Sequence, residues 1–170
     1  AARLSQINVE RRDIEARMQG EALEQVEALL ASIEGELPAG LCLQDEGWHQ
    51  GVIGLVASRV KERLQRPVIA FAPAGDGWLK GSARSVPGLH VRDVLDAVAA
   101  HHPGLLEKFG GHAMAAGMTL RVERFEEFRD AFIKGMVNPN NSAVDIGESE
   151  VNNDTASVEV ALIYNPSDPF

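Results

Sequence analysis

The chain has 170 residues, a formal net charge of -9, 45% hydrophobic and 24% charged residues; this fits one folded domain with or without appendages and excludes wholesale disorder or collagen-like repetition. No apolar run approaches the roughly 20 residues that a membrane-spanning helix needs, and Cys42 as the only cysteine excludes an internal disulfide framework or a cysteine-cluster metal site. The N-terminal residues enter a polar helical pattern with neither an apolar signal core nor an initiator Met, so the expectation is a soluble cytoplasmic protein that is a piece of something longer.

The first thirty residues read as one helix carrying Leu4, Ile7, Ile14, Met18, Val26, Leu29, Leu30 and Ile33 at mostly helical spacings. Its apolar stripe is thin before Gly20 and thicker after, the pattern of a helix that bridges domains. Gly35, Pro38 and Gly40 end it. Leu41-Cys42-Leu43 reads as a short buried strand, and Val52 to Gln65 as a helix with Val52, Ile53, Val56, Val60 and Leu64 inward. Val68 to Ala72, the turn Ala74-Gly75-Asp76-Gly77 and a strand from Trp78 to Arg84 read as a β-hairpin. Val91 to Ala100 is an amphipathic helix stopped by Pro103-Gly104. After a Gly-rich segment, Met118 to Val122 alternates like a half-buried strand, and Arg124 to Val137 forms a last helix with Phe125, Phe128, Phe132, Ile133 and Met136 inward. Strands alternating with helices predict an α/β domain with a mixed β-sheet flanked by helices over residues 38–137, a linker helix over 1–37, and an acidic, turn-rich, poorly ordered tail over 138–170. Within that tail, Val158 to Tyr164 is a candidate strand without an obvious partner.

Net charge disfavours a nucleic-acid partner only until its distribution is considered. Residues 1–47 hold 4 basic and 10 acidic side chains, whereas residues 48–112 hold 8 basic and 5 acidic ones, and residues 142–170 hold 6 acidic and no basic ones. The positive stretch contains three glycine-rich clusters, each with a polar side chain among the glycines. Ser82 and Arg84, two apart on a strand, share one face and together offer a hydroxyl and a guanidinium fork suited to phosphate; the rival is an Arg paired with a surface carboxylate beside a Ser in a bend. Gly110-Gly111-His112 could present backbone N–H groups and an imidazole to an anion, with a plain Gly-Gly turn before a satisfied histidine as the competitor. Gly51 lies at a helix start, where an anion is favoured; His49 reads as an anion contact or a cap, and Trp48 as core rather than a base-stacking platform. His101-His102 fails as a metal site, since adjacent helical residues point about 100° apart and no carboxylates stand at ligand spacing. No nucleophile elbow, P-loop or HExxH helix is present.

Three blocks together resemble the RecJ family of single-strand-specific exonucleases, in the part called the DHHA1 domain: Gly47-Trp48-His49-Gln50-Gly51 through Arg59, Lys80-Gly81-Ser82-Ala83-Arg84-Ser85-Val86-Pro87-Gly88, and Lys108-Phe109-Gly110-Gly111-His112-Ala113-Met114-Ala115-Ala116-Gly117. Leu4 to Met18 is similar to the long helix that joins that family's two main domains. The resemblance covers about residues 1–137. It implies a nuclease that degrades single-stranded DNA from its 5′ end, with catalysis in a separate DHH domain whose aspartates bind two Mn²⁺ or Mg²⁺ ions and which this sequence does not contain. By the same resemblance Ser82 and Arg84 bind the 5′ phosphate, Gly110, Gly111 and His112 line the site opposite the metals, and His49 and Arg59 are candidates for secondary contacts. The implied partners are single-stranded DNA, the DHH domain and, as a further candidate, a single-strand-binding protein; no membrane partner is implied. Residues 142–170 do not resemble the oligonucleotide-binding barrel into which such enzymes commonly continue. Rival readings are the same domain in a small-oligonucleotide phosphodiesterase, a non-catalytic interaction module, and the related domain of alanyl-tRNA synthetase, which does not bring along the Trp-His-Gln-Gly block.

Overall fold

Ten elements run along the chain in this computed structural model, which describes residues 1–35 and 37–137. They are α1 (Ala2–Ser32), β1 (Leu41–Gln44), α2 (Ile53–Leu64), β2 (Val68–Pro73), β3 (Trp78–Arg84), α3 (Val91–His101), β4 (Lys108–Gly111), β5 (Ala115–Arg121), a single 3₁₀ turn (Val122–Arg124) and α4 (Phe125–Val137). The strands form one mixed sheet in the order β1-β2-β3-β5-β4. Only β1 and β2 are parallel, because α2 carries the chain back between them; every other neighbouring pair is antiparallel. The candidate strand at Val158 to Tyr164 and the acidic tail lie outside the described residues.

Alternation along the strands sorts the core into two layers. Cys42, Ile69, Phe71, Leu79, Ala83, Met118 and Leu120 face α3 and α4, where Phe71 meets Phe125 and Phe128 edge-on at ring-centre distances of 5.4 and 5.6 Å. Leu41, Leu43, Val68, Ala70 and Ala72 face the other way, onto Ile53, Val56 and Val60 of α2. Helix α1 packs on α2 through Ala22 and Val26, with Trp48 beneath it. The Trp48 indole is 5% exposed and donates from Nε1 to Gln25 Oε1 at 2.7 Å, so it is a core residue with a satisfied N–H, as its apolar setting predicts. The first half of α1 touches nothing comparable: Leu4 is 69% exposed and Ile7 53%.

Two strand assignments differ from expectation. Gly110 and Gly111 are not a loop but the end of edge strand β4, and β5 begins at Ala115 rather than Met118. Small residues carry no apolar alternation, so periodicity is blind to a strand whose pairing comes from its neighbours. The last helix likewise starts at Phe125, after the 3₁₀ turn that takes up Val122.

Cys42 is fully buried, and burial drives its thiol far above the ordinary range, which leaves no reactive thiolate. Gly81 lies on the α3/α4 face, where a Cβ would meet the Phe71 ring at 2.5 Å and Met118 Cγ at 3.0 Å. Gly81→Ala is expected to lower stability by about 1–3 kcal/mol through overpacking, read from urea unfolding.

Candidate nucleic-acid interface

Strand β3 sets out the site by simple alternation. Leu79, Gly81 and Ala83 point into the α3/α4 core, so Lys80, Ser82 and Arg84 point out on the α2 side. Arg84 Nη1 donates to Ser82 Oγ at 2.9 Å and to the Ala83 carbonyl at 2.8 Å, which fixes the guanidinium while leaving Nε and Nη2 available. Among the described residues no carboxylate lies within 4.0 Å of Arg84. The rival picture, an Arg neutralised by a surface carboxylate beside a Ser in a bend, is absent from this part of the chain.

The guanidinium lies over the first turn of α2. A Cβ on Gly54 would stand 2.8 Å from Arg84 Nη2 and 3.5 Å from Ser82 Oγ, so only glycine lets α2 approach this closely. Helix α2 has no side-chain N-cap and no acidic residue in its first turn. Its N–H dipoles therefore reinforce the positive character of Arg84 instead of being neutralised locally.

The glycine loop reaches the same face from β4. Gly110 pairs with Gly117, which pairs with Ser82; in the next row Ala115 lies beside Arg84 and receives its carbonyl bond from the His112 N–H at 2.9 Å. Ser85 and Val91 donate to the carbonyls of Met114 and Ala113, both at 2.9 Å, and so tie this turn to the end of β3 and the start of α3. Gly111 is required sterically, since a Cβ there would collide with the Ala115 carbonyl and Ala116 Cα. The exposed His112 ring accepts a long bond from the Met114 N–H at 3.4 Å through Nδ1, so Nε2 is the nitrogen left to donate.

Not all of the sequence candidates join this cluster. His49 Nδ1 accepts from the Gly51 N–H at 3.0 Å, a local turn bond that lies before the Val52 N-cap and so does not cap α2, and lines a groove with Arg11, Ile14 and Met18 of α1. Arg59 approaches Glu27 of α1 at 3.9 Å, where Arg63 also reaches the same carboxylate at 3.6 Å, so both face α1 as exposed ion pairs beside the packing of Ala22 and Val26. Gly54, Gly117, Lys80 and Lys108 belong to the face but were not among the predicted site residues. Lys80 was within reach, since the period that pairs Ser82 with Arg84 extends to it; Gly54, Gly117 and Lys108 need the register of other elements.

Among the described residues no group of three His, Cys, Asp or Glu side chains could hold a metal ion. The donors gathered here are a guanidinium, a hydroxyl, N–H groups and ammonium groups, a set that repels a cation and suits an anion.

The DHHA1 domain family matches residues 37–138, well over half of the chain. This chain belongs to the DHHA1 domain family. The chain is 58% identical over 132 residues to the single-stranded-DNA-specific exonuclease RecJ of Dickeya dadantii, a match that covers 78% of this chain and 23% of that protein. Two solved structures share the fold: RecJ bound to manganese, at 30% identity with a TM-score of 0.64 over 81% of this chain and 33% of that one, and RecJ in complex with Mg²⁺ from Thermus thermophilus, at 30% identity with a TM-score of 0.59 over 72% and 18%. The chain thus spans about a quarter of the curated relative's length.

Two predictions follow from the geometry. Gly54→Ala is expected to keep or raise stability by up to about 1 kcal/mol through helix propensity, while pushing Arg84 off Ser82 and weakening inorganic phosphate binding; denaturation and phosphate titration of the same sample separate the two. Asp45 is 2% exposed, with Oδ1 bonded to the Gly47 N–H at 2.7 Å and Oδ2 unpaired, and burial raises its pKa above the usual carboxylate value. A raised native pKa means that the folded state binds the extra proton, so this group's contribution to stability falls as pH rises above the unfolded value near 3.8. Asp45→Asn is expected to lose that slope: its stability relative to the unsubstituted chain should climb between pH 4 and neutrality in parallel unfolding curves.

Proposed function

We propose that this chain is the substrate-binding part of a RecJ-like exonuclease that degrades single-stranded DNA 5′→3′, with Ser82 and Arg84 holding the 5′ phosphate of the strand. The observation that carries this reading is the Arg84 guanidinium, oriented by Ser82 Oγ and the Ala83 carbonyl, close against the uncapped start of α2 and without a carboxylate among the described residues. A terminal phosphate is a dianion with three outer oxygens and can take the free guanidinium edge, while an internal phosphodiester carries one charge. In this reading Gly110 and the exposed His112 border the same face, whereas Gly111 pairs with Ala116 in the row that faces α3 and α4 and contributes by shaping the turn.

Catalysis in this reading belongs to a DHH domain outside this sequence, which also supplies the ligands for Mn²⁺ or Mg²⁺. The exposed stripe of Leu4, Ile7 and Ile14 on α1 is the surface from which that domain is reached. The chain by itself binds and does not hydrolyse. DNA repair and recombination, a cytoplasmic setting and a single-strand-binding protein as partner follow from the RecJ reading and share its fate. The 58% identity to a RecJ over 132 residues, together with the Trp48 to Arg59 block of this sequence, favours this over a small-oligonucleotide phosphodiesterase.

The test is equilibrium binding of a short fluorescent single strand, with and without a 5′ phosphate, to this chain and to Arg84→Ala. The phosphorylated strand is expected to bind more tightly. Arg84→Ala is expected to erase that difference, a loss of about 1.5–3 kcal/mol, or ten- to more than a hundredfold, for a charge-assisted contact. Equal affinity of the two strands for the unsubstituted chain would overturn the assignment of Ser82 and Arg84.

A further inference from the structure

Among the described residues helix α2 covers β2 and β3, and no helix packs on β5 and β4 on its side of the sheet. Register places three rows of side chains across this open face: Arg84 and Ala115 with the start of the His112 turn; then Ser82, Gly117 and Gly110; then Lys80, Thr119 and Lys108. The middle row is the informative one. Gly117 and Gly110 lie side by side in a sheet, where glycine weakens a strand, yet neither is there to make room for protein atoms. Among the described residues a Cβ on Gly110 would meet nothing within 4 Å, and one on Gly117 only the Gly81 carbonyl at 3.8 Å. Neither has a positive φ, in contrast to Gly111. What the two glycines produce is a flat strip running from Ser82 to the sheet edge, open to solvent, where another backbone could lie against the strands.

Beyond the strip, Lys80 and Lys108 are exposed, and no described residue pairs with either. They flank Thr119, about 10 Å apart across two inter-strand spacings. Arg121 continues the face one row further, stacked 3.9 Å from the Trp78 ring centre. Lys80 lies four residues from Arg84, about 13 Å along the strand, or roughly two steps of an unstacked polynucleotide, whose phosphates are spread to about twice the 3.4 Å stacked rise.

We infer that the Gly117–Gly110 strip and the Lys80–Lys108 pair form a second anion subsite that takes the internal phosphates of a single strand behind its terminal phosphate. The inference rests on the reading of Ser82 and Arg84 given above and extends it to the strand's path. Sugar and phosphate cross the glycines, where no side chain obstructs them; the ammonium groups then meet the next phosphates from both sides. Binding here is independent of sequence, because only backbone groups are contacted.

The test titrates the isotope-labelled chain with thymidine 5′-phosphate and with its 5′-phosphorylated di- and trinucleotide, following backbone amide shifts. The mononucleotide is expected to move Gly54, Ser82, Arg84, Gly110 and His112 and to leave Lys80, Lys108 and Thr119 in place. The trinucleotide is expected also to move Gly117, Lys80, Lys108 and Thr119. Lys80→Ala with Lys108→Ala should weaken the trinucleotide roughly three- to tenfold at low salt, lower its log-log salt slope by about 0.7 per lost phosphate contact, and leave the mononucleotide unchanged. Gly117→Val, which removes no charge and fits a strand, should give the same length-dependent loss. The subsite is overturned if mono- and trinucleotide move the same amides, or if the double lysine variant binds the trinucleotide as well as the unsubstituted chain does. A trinucleotide response at Lys80 and Lys108 with no mononucleotide response at Ser82 and Arg84 would sink the terminal-phosphate reading and leave the subsite standing.

Discussion

One helix about 10 Å across cannot cover five strands spaced about 4.8 Å apart, and everything this domain offers a ligand depends on that mismatch. On one side of the sheet α3 and α4 together bury the strands and their aromatic cluster. On the other, among the described residues, α2 lies over β2 and β3 and no helix packs on the far half of the sheet. Polar and small residues at the edge of α2 and beyond it are consequently the outer face of strands whose inner face is core: Ser82 is fixed in place by Gly81 and Ala83, and Gly117 by Ala116 and Met118. The rigidity of the site is borrowed from the opposite layer.

The edge of α2 is where the covered and bare halves meet, and there the charge is concentrated. Arg84 lies against the first turn of α2 because Gly54 lacks a side chain, so a strand cation and a helix N-terminus are brought within one atom's width of each other. Two positive features juxtaposed without an acid among the described residues are electrostatically unfavourable in the free protein. An anion relieves that repulsion, which makes the arrangement costly when empty and favourable when occupied. Arg59 and Arg63, farther along α2, show the contrasting use of the same side chain: they meet Glu27 of α1 in exposed ion pairs. Whole-chain charge hides this division, because the acidic residues are concentrated in the first 47 and last 29 positions and the basic ones between.

Much of this was legible in the sequence for a specific reason. Strand β3 alternates strictly, so Ser82 and Arg84 could be assigned to one face without coordinates, and the amphipathic stripes of α2, α3 and α4 carry the period that burial imposes. The thin stripe on the first half of α1 likewise announced residues that find no partner in the folded domain. Where residues are small the signal disappears. Gly110 and Gly111 look like a loop in isolation, and Ala115 to Gly117 have neither bulk nor alternation; their pairing is imposed by β3, a strand some thirty residues earlier. His49 and Arg59 show the converse failure, for a motif block that looks uniformly functional splits in space between a local turn bond before α2 and an ion pair to α1.

By itself the sequence determined the α/β class, the order of helices and strands, the membership of the family and the chemical character of the candidate site, because those rest on local periodicity and on which residue types are present. Tertiary structure decided which of these residues meet. The close approach of Gly54 to Arg84, the alignment of Gly110 and Gly117 beside Ser82, and the common face of Lys80 and Lys108 all arise from inter-strand register and helix placement. Register is a property of pairs of segments distant in the chain, fixed by which faces must be buried together, and no window along one segment contains it.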